Sequence, residues 1–504
     1  MTVAEQADDT EVRKNPVHTR ALIIGTGFSG LGMAIALQRR GVDFLLLEKA
    51  DEIGGTWRDN TYPGCACDIP SHMYSFSFEP KPDWKHMWSF QPEIFDYLKG
   101  VTEKYGLRRY VRFGSRVDRA HWDDEEQSWH VFTDTGQEYV AQFLVSGAGG
   151  LHIPLIPDIE GIDEFRDAGG DMFHSAQWDH GVDITGKRVA VIGTGASAIQ
   201  IVPEIVGDVA ELQLYQRTPA WVMPRPNNAF PEWTRRMFAT VPGTRALMRA
   251  SIYWIHEAVG FAMTRQPRLL KLGELMGRWN IRRSVKDAEL RRKLTPNYRA
   301  GCKRILNSDT YYGGIANPRT QVITEPIARM TPDGIVTTDG TEHPVDVVVF
   351  ATGFHVTDSY TYVDIKGSGG EDLVDRWNRE GIQAHRGIAV AGMPNLFFLL
   401  GPNTALGHNS VVFMIESQIR YAAKAIAAVD KSGARALSPS RHAQDEFNAE
   451  LQGDLATTVW NTGGCRSWYM DDHGVNRTLW SGMTWQYWLA TRRFRRSEYE
   501  FSGR

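Results

Sequence analysis

Three glycines near the N-terminus have the spacing of a turn that holds a dinucleotide. They are Gly25, Gly27 and Gly30, which follow a β-branched apolar run and precede a helix-like pattern. Such glycines let the backbone approach a pyrophosphate at a helix N-terminus. Glu48 ends the next apolar strand, 23 residues after Gly25, where a carboxylate takes a ribose diol. This context favours a dinucleotide site over the alternative, a glycine turn between two packed elements.

A second turn of the same kind differs at the position that meets the ribose. Gly193 and Gly195 repeat the spacing, with Ala198 in the third place. Counting 24 residues from Gly193 reaches Arg217, where the first turn has a carboxylate. An arginine pairs with a 2′-phosphate in a charge-assisted fork, whereas a carboxylate repels it. We therefore predict that the second site prefers NADP over NAD. A solvated strand end is the alternative role for Arg217.

Two dinucleotide sites in one chain indicate electron transfer between two carriers. The usual pair is FAD held at the first site and NADPH visiting the second. The cysteines, Cys65, Cys67, Cys302 and Cys465, form no C-x-x-C pair, so neither a dithiol acceptor nor a zinc ribbon is expected. Oxygen, a quinone or a protein partner is left as the electron acceptor. Four scattered cysteines are also too few for a disulfide scaffold, and they predict a reducing compartment.

Strand–turn–helix–strand patterns must position both turns. The first pattern runs from residue 21 to 47 and the second from 187 to 215, while residues 231–294 are helical in pattern without strand alternation. The prediction is an α/β fold with two Rossmann-like dinucleotide-binding domains and a helical insert. The predicted boundaries, in chain order, are the FAD-binding domain (first part, 1–148), the NADP-binding domain (first part, 149–224), the helical insert (225–315), the NADP-binding domain (second part, 316–384) and the FAD-binding domain (second part, 385–504).

The composition excludes other classes of protein. The chain has 504 residues, 42% hydrophobic and 23% charged, which is ordinary globular usage rather than disorder. Its formal net charge of −4 predicts no electrostatic footprint for nucleic acid or an anionic membrane. The N-terminus lacks the apolar core of a signal peptide, and the longest uncharged stretch, residues 387–415, is broken by glycine and proline. We expect a soluble cytoplasmic protein with no integral membrane segment.

Longer motifs carry a resemblance to one flavoprotein family. Residues 54–68, GGTWRDNTYPGCACD, resemble the G-G-x-W-x4-Y-P-G-x3-D signature of type I Baeyer–Villiger monooxygenases. Residues 170–179, GDMFHSAQWD, resemble most of that family's F-x-G-x3-H-x3-W-[PD] fingerprint, and residues 349–354 are similar to a second linker. One departure is that Ala168 stands in the phenylalanine place, with Phe165 the nearest phenylalanine. This departure puts the packing of the linker in doubt more than the chemistry.

The resemblance covers residues 18–495 and implies oxidation of ketones. In this family FAD, NADPH and O2 convert a ketone to an ester or lactone through a C4a-peroxyflavin. That anionic oxidant needs a fixed cation, and arginine supplies one because it keeps its proton. By the family's pattern the cation is Arg304, Asp68 holds its guanidinium, Lys303 lies near the NADP phosphate and Trp468 contacts the bound NADP. Without the resemblance, Lys303 and Arg304 read as a solvated helix end, Asp68 as a turn or cap residue, and Trp468 as a core aromatic.

The candidate site residues fall into a catalytic pair, Arg304 and Asp68, and two cofactor-binding sets. The set for FAD is Gly25, Gly27, Phe28, Ser29, Gly30, Glu48, Lys49, Gly55, Thr56, Trp57, Tyr62 and Asp68. The set for NADP is Gly193, Thr194, Gly195, Ala196, Ser197, Arg217, Thr218, Lys303 and Trp468. The predicted partners are O2 and a small-molecule ketone, with no nucleic acid and no metal.

Two other functions stay open from the sequence. A flavin-containing monooxygenase that oxygenates a soft nitrogen or sulfur would not need Arg304, because its peroxide must be protonated. A flavin-bound redox sensor is the alternative from a different class. Within the resembling family, residues 401–410 and 463–469 look closer to the 4-hydroxyacetophenone-type branch than to cyclohexanone-type enzymes.

Overall fold

A computed structural model of the chain describes residues 15–503. Residues 1–14, in the segment where no signal peptide is predicted, and residue 504 lie outside the described part. The strands are β1 Val17–Ile24, β2 Phe44–Leu47, β3 Val111–Arg112, β4 Val117–Asp123, β5 Ser128–Thr133, β6 Glu138–Ser146, β7 Asp171–His174, β8 Arg188–Ile192, β9 Glu211–Tyr215, β10 Val222–Met223, β11 Leu306–Asn307, β12 Thr320–Ile323, β13 Ile327–Thr331, β14 Gly334–Thr337, β15 Glu342–Pro344, β16 Val347–Phe350, β17 Asp364–Lys366, β18 Leu396–Phe398, β19 Ala436–Pro439 and β20 Tyr499–Ser502.

The α-helices lie mainly between and around two large sheets. They are α1 Phe28–Gln38, α2 Thr56–Asp59, α3 Gln91–Lys104, α4 Ile162–Asp167, α5 Ala196–Ile205, α6 Glu232–Thr240, α7 Thr244–Thr264, α8 Leu270–Ser284, α9 Ala288–Leu294, α10 Tyr311–Ile315, α11 Leu373–Glu380, α12 Val411–Ser432, α13 Arg441–Leu455, α14 Val459–Thr462 and α15 Thr484–Thr491. Among residues 15–503, no helix is both long and apolar enough to cross a membrane.

The first sheet carries the first glycine turn. Its eight strands run in the order β17-β4-β5-β6-β1-β2-β3, with β18 also paired to β6. β1 lies between β2 and β6 and is parallel to both, so that Leu22 is in register with Leu45 and Leu144. Ala21, Leu22 and Ile23 are fully buried, as expected for a parallel strand covered on both faces. The first glycine turn therefore lies at the carboxyl end of β1, on the side of the sheet where the parallel strands β1, β2 and β6 end.

The second sheet carries the second glycine turn. Its five strands, β12-β9-β8-β16-β7, are all parallel. Val347, Val348 and Val349 of β16 are completely buried, which explains why this strand is a continuous apolar run. The predicted α/β architecture with two Rossmann-like units is confirmed, whereas the residue boundaries assigned to the domains stay a prediction.

The chain between β10 and β11 forms the predicted helical segment. Helices α6, α7, α8 and α9 span most of residues 232–294. The two flanking strands then pair in parallel, with Val222 in register with Leu306. This pairing returns the chain to the second domain two residues after Arg304. The helical segment is therefore tied at its base to the backbone that carries the predicted catalytic cation.

One cysteine pair departs from the sequence expectation. Cys302 and Cys465, 163 residues apart, form a disulfide. The expectation of no disulfide rested on the wide spacing of the cysteines in the sequence. Folding places the two segments side by side, and the Arg299 amide donates to the Gly463 carbonyl at 3.0 Å. Cys65 and Cys67 are free and buried. The predictions of a reducing compartment and a cytoplasmic location therefore lose their support from cysteine usage and stay predictions.

Candidate active site

The first glycine turn excludes a side chain at two of its three glycines. Gly25 has a φ of +91°, and a Cβ placed there would lie 2.9 Å from the carbonyl oxygen of Gly147. A Cβ on Gly30 would lie 1.9 Å from the carbonyl oxygen of Gly25. Helix α1 begins after Gly27 without a side-chain cap. An uncapped helix N-terminus behind a glycine cradle fits a pyrophosphate group, as FAD requires.

Glu48 joins the turn to the signature segment. Its Oε2 accepts hydrogen bonds from the amide and hydroxyl of Thr26, at 3.1 and 2.5 Å. Its Oε1 accepts from the Ala50 amide at 3.0 Å and pairs with Nη1 of Arg58 at 2.9 Å. Arg58 was not predicted, although it lies inside the signature. The ribose role of Glu48 stays a prediction, and the contacts show it holding the turn in shape.

The other residues predicted for FAD surround this turn. A Cβ on Gly55 would lie 3.3 Å from the Cα of Gly27, so the signature segment passes directly over the turn. Trp57 is buried, with its indole N–H donating to the Tyr74 hydroxyl at 3.1 Å. The remaining positions are Phe28 and Ser29, which are buried at the start of α1, Thr56, which is exposed at the start of α2, and Lys49, whose Nζ lies 3.5 Å from the carbonyl oxygen of His152.

Gln200 connects the two dinucleotide domains and was not predicted. Its Oε1 accepts from the Tyr62 hydroxyl at 3.0 Å and from the Ala66 amide at 3.3 Å. Its Nε2 donates to the carbonyl of Ala66 at 3.0 Å. The sequence signal was a polar residue flanked by Ile199 and Ile201 in the middle of a helix. Tyr62 therefore lies at the junction of the two domains, and burial raises the pKa of its hydroxyl well above the ordinary value.

The second glycine turn has the same construction. Gly193 has a φ of +118°, and a Cβ there would lie 2.4 Å from the carbonyl oxygen of Ala351. Gly195 faces open space at the start of α5, which begins with Ala196 and Ser197. The hydroxyl of Thr194 donates to the carbonyl of Thr218 at 2.8 Å. The turn is thus held against the segment that carries Arg217.

Arg217 and Lys303 form a cationic pair that suits a phosphate. Arg217 is exposed after the end of β9, and Lys303 is partly buried in the segment before β11. Burial, followed by the nearby charge of Arg217, lowers the pKa of Lys303. Within residues 15–503 neither side chain forms an ion pair with a carboxylate. Two neighbouring cations without a carboxylate partner are the arrangement that a 2′-phosphate would neutralise.

Arg304 and Asp68 meet although 236 residues separate them. Nε and Nη2 of Arg304 each lie 2.7 Å from Oδ2 of Asp68. Nη1 of Arg304 donates to the carbonyl of Leu406 at 3.2 Å, which brings in a third segment. The Asp68 carboxylate raises the pKa of the guanidinium above its already high value. Arg304 therefore stays positively charged at every physiological pH, and the structure brings the two predicted catalytic residues together.

Two further residues next to this pair were not predicted from the sequence. Tyr469 is 1% exposed, and its hydroxyl has no hydrogen-bond partner among residues 15–503. Burial raises its pKa to about 12, while the charge of Arg304 acts in the opposite direction. Nη1 of Arg225 donates to the carbonyl of Cys67, the residue before Asp68, at 3.3 Å. These residues add a neutral hydroxyl and a second cation beside the ion pair.

Trp468 lies on the loop that the disulfide holds. It is 45% exposed, and its ring centroid lies 4.5 Å from that of Tyr469. Cys465 precedes it by three residues and is bonded to Cys302, which precedes Arg304 by two. The core-aromatic alternative does not describe this exposed side chain. Its contact with NADP stays a prediction.

The linker at residues 165–179 packs despite its departure from the fingerprint. Phe165 is fully buried and fills the space beside Gly170, where a Cβ would lie 2.3 Å from the Phe165 ring. Phe165 thus supplies an aromatic ring in place of the one missing at Ala168. His174 is buried, and its Nδ1 accepts from the Ala176 amide at 3.1 Å. Burial lowers the pKa of His174 to about 4, so the neutral imidazole holds the linker, in line with the fingerprint.

Comparison with known proteins identifies the family. The family described as flavin-binding monooxygenase-like matches residues 18–254. A Baeyer–Villiger monooxygenase of Pseudomonas aeruginosa is 47% identical over 96% of this chain and 92% of the relative. One of Streptomyces coelicolor is 46% identical over the same shares of the two chains.

Solved structures of related enzymes superpose over nearly the whole chain. A steroid monooxygenase bound to NADP matches with a TM-score of 0.86 and 30% identity, covering 97% of this chain and all of that one. A cyclohexanone monooxygenase from Rhodococcus sp. Phi1, bound to NADP+, matches with a TM-score of 0.86 and 28% identity over the same shares. With relatives this similar along its whole length, the chain belongs to the Baeyer–Villiger monooxygenases of the flavin-binding monooxygenase-like family.

Proposed function

We propose that this oxidoreductase uses FAD and NADPH to insert one atom of O2 next to the carbonyl of a small ketone. The products are an ester or lactone, NADP+ and water, so that the second oxygen atom leaves as water and NADPH supplies the two electrons. The observation that carries the proposal is the Arg304–Asp68 pair at 2.7 Å, beside the junction of the two dinucleotide domains. FAD, when bound, supplies the activation of O2.

Arg304 supplies the charge that ketone oxygenation needs. An oxygen that attacks a carbonyl must be anionic, and the partly buried guanidinium stabilises a negative charge without giving up a proton. The Asp68 carboxylate contacts Nε and Nη2 on one edge of the guanidinium, and the Leu406 carbonyl accepts a hydrogen bond from Nη1. The guanidinium plane is thereby fixed by two separate segments. Oxygenation of a soft nitrogen or sulfur requires a protonated oxidant and has no use for this fixed cation.

Arg217 and Lys303 favour NADPH over NADH as the electron donor. Both side chains would bind the 2′-phosphate, which NADH lacks. Gly193 and the start of α5 would hold the pyrophosphate in the manner of the first turn. The exposed Trp468 ring is suited to cover the bound nicotinamide half. The assignment to the 4-hydroxyacetophenone-type branch stays a prediction.

A ketone panel under labelled oxygen tests the proposal. The holoenzyme is incubated with NADPH and ¹⁸O₂ and with aryl, linear and cyclic ketones, and products are analysed by mass spectrometry. We expect a product that carries one ¹⁸O atom, together with NADPH consumption stimulated by the same ketone. Flavin bleaching without oxygen uptake would instead identify a redox sensor. Labelled N-oxides or S-oxides from amines and sulfides, with no ester from any ketone, would favour the soft-atom alternative.

A further inference from the structure

The outer face of α7 is apolar, whereas its charged residues point inward. Its exposed large side chains are Leu247, Trp254, Ile255, Val259 and Phe261, between 39% and 70% exposed. Ala250, Ser251 and Ala258 lie between them and are also exposed. Their spacing places them on one side of a 21-residue helix. No charged side chain interrupts this outer face.

The inward side of the same helix holds its ionic groups. Nη1 of Arg249 donates to the carbonyl of His72 at 2.8 Å. Glu257 is 4% exposed and accepts from Nδ2 of Asn409 at 2.7 Å and from the Thr484 hydroxyl at 2.6 Å. A surface helix usually has the opposite pattern, with its apolar stripe toward the core. The outward apolar face of α7 therefore requires a partner.

Helix α8 carries a second set of exposed apolar side chains. Its exposed large side chains are Leu272, Leu275, Met276 and Trp279, between 45% and 69% exposed. A short 3₁₀ turn, Pro267–Leu269, joins it to α7, and Leu269 in that turn is 51% exposed. We call the exposed apolar side chains of α7, this turn and α8 the insert face. So many exposed large apolar side chains in one segment indicate an interaction site, because single exposed apolar residues are the usual case on a protein surface.

The region that carries the insert face is strongly basic. Residues 232–299 contain fifteen lysines and arginines against five aspartates and glutamates, a net charge of +10, while the whole chain has −4. Arg268, Lys271, Arg278 and Arg282 are exposed beside the apolar side chains of α8. None of these four forms an ion pair with any residue between 15 and 503. The net charge of the whole chain predicts no binding to an anionic membrane. That net value hides the excess of basic residues in this one region.

We propose that the insert face binds the surface of an anionic lipid bilayer, with α7 and α8 lying in the interfacial plane. Exposed tryptophan, phenylalanine and leucine beside lysine and arginine are the composition of helices that lie on membranes. Anionic headgroups complement the basic charge. A second copy of the chain is disfavoured, because a two-fold contact would bring the exposed cations beside the two insert faces together.

Vesicle sedimentation of the FAD-loaded full chain tests the proposal. The probes are phosphatidylcholine vesicles with about 30% phosphatidylglycerol and vesicles of phosphatidylcholine alone. We expect the enzyme to sediment with the anionic vesicles, and the bound fraction to fall by about tenfold with the neutral ones or in about 0.5 M salt. Quenching of tryptophan fluorescence by brominated acyl chains gives a second readout that needs no variant.

Exposed positions allow matched variants. Trp254→Glu and Trp279→Glu should each lower vesicle binding by about tenfold or more, because each variant loses the favourable burial of an indole and adds a negative charge that opposes insertion. The double variant Arg268→Glu, Lys271→Glu should lower binding to the anionic vesicles but not binding to the neutral ones. The controls are Tyr362→Glu and Arg116→Glu, exposed positions outside the insert, which should bind vesicles like the wild type. Flavin content and the rate of NADPH oxidation in solution should be unchanged in all variants.

Two results would overturn the proposal. One is an enzyme that sediments no better with anionic vesicles than without vesicles, together with an absence of tryptophan quenching. The other is a concentration-dependent dimer, detected by analytical ultracentrifugation, that Trp254→Glu converts to monomer while vesicles bind neither form. That result would assign the insert face to a second copy of the chain.

Discussion

Nε and Nη2 of Arg304 both lie 2.7 Å from a single oxygen of Asp68, Oδ2. The contact fixes one edge of the guanidinium, while Nη1 reaches the Leu406 carbonyl. Two segments that are far from Arg304 in sequence thus orient its guanidinium. Because of the same contact, the Asp68 carboxylate is not an isolated charge in a partly buried site. Replacing either residue should therefore also disturb the other.

Arg304→Ala should separate oxygenation from NADPH consumption. Ester formation should fall by about 10²- to 10³-fold, the usual cost of removing a preorganised electrostatic group. NADPH oxidation should continue, with its electrons released as hydrogen peroxide. Coupling, measured as ester formed per NADPH consumed, is the readout, and Arg304→Lys should recover little because lysine cannot keep both contacts to Asp68. Wild-type ester formation in Arg304→Ala would refute the assigned role.

Arg217→Ala should change the choice of coenzyme. A charge-assisted contact contributes about 1.5–3 kcal/mol, so the KM for NADPH should rise by about 10- to 100-fold. The KM for NADH should stay nearly constant, because NADH lacks the 2′-phosphate. Steady-state kinetics with both coenzymes give the comparison, and the exposed Arg116→Ala serves as a charge-matched control. Equal losses with both coenzymes would show that Arg217 does not meet the phosphate.

Gln200→Leu should weaken the contact between the two domains. The substitution leaves the Tyr62 hydroxyl and both backbone groups of Ala66 without their present partners, at a cost of about 2–4 kcal/mol. The thermal midpoint should drop, and calorimetry should show two transitions where the wild type has one. Gln213→Leu is the matched control, since Gln213 is also buried but donates to the Pro344 carbonyl within the second domain. A single unshifted transition in Gln200→Leu would contradict the bridging role.

The Cys302–Cys465 disulfide should be detectable by thiol titration. The unfolded chain should react as two free thiols, those of Cys65 and Cys67, and as four after reduction. Cys465→Ser should lower coupling several-fold, because the loop that carries Trp468 loses its covalent link to the segment that carries Arg304. Adding reductant to the Cys302→Ser, Cys465→Ser double variant should have no further effect. Four reactive thiols before reduction would contradict the pairing.

His174 should make the folded state sensitive to acid. Burial lowers its pKa to about 4, so between the ordinary value near 6.5 and about pH 4 the unfolded chain binds a proton that the folded chain does not. Stability should therefore fall with decreasing pH, by up to about 1.4 kcal/mol per pH unit for this histidine. Chemical denaturation of the wild type and His174→Asn at several pH values measures the slope. The variant should be less stable at pH 7 but show a shallower slope.

Local patterns in the sequence were sufficient for the dinucleotide turns. Gly25 and Gly193 have positive φ angles, a local property of the turn that favours glycine, although the carbonyls that also exclude a side chain there belong to the distant residues Gly147 and Ala351. The same is true of β16, whose run of valines reflects burial on both faces of a parallel sheet. Strands, turns and the helical segment could therefore be predicted, because periodicity and glycine placement record short-range physics.

The sequence by itself determined the two cofactor turns, the α/β architecture and the identity of the candidate cation, Arg304. Only the tertiary structure decided what that cation touches, which buried glutamine joins the domains and which cysteines pair. It also decided that an apolar face of the helical segment points outward, since α7 has the same periodicity whether that face is buried or exposed. Partners 102 to 236 residues apart are selected by the packing of whole sheets and helices, a free-energy minimum that no short stretch of sequence records.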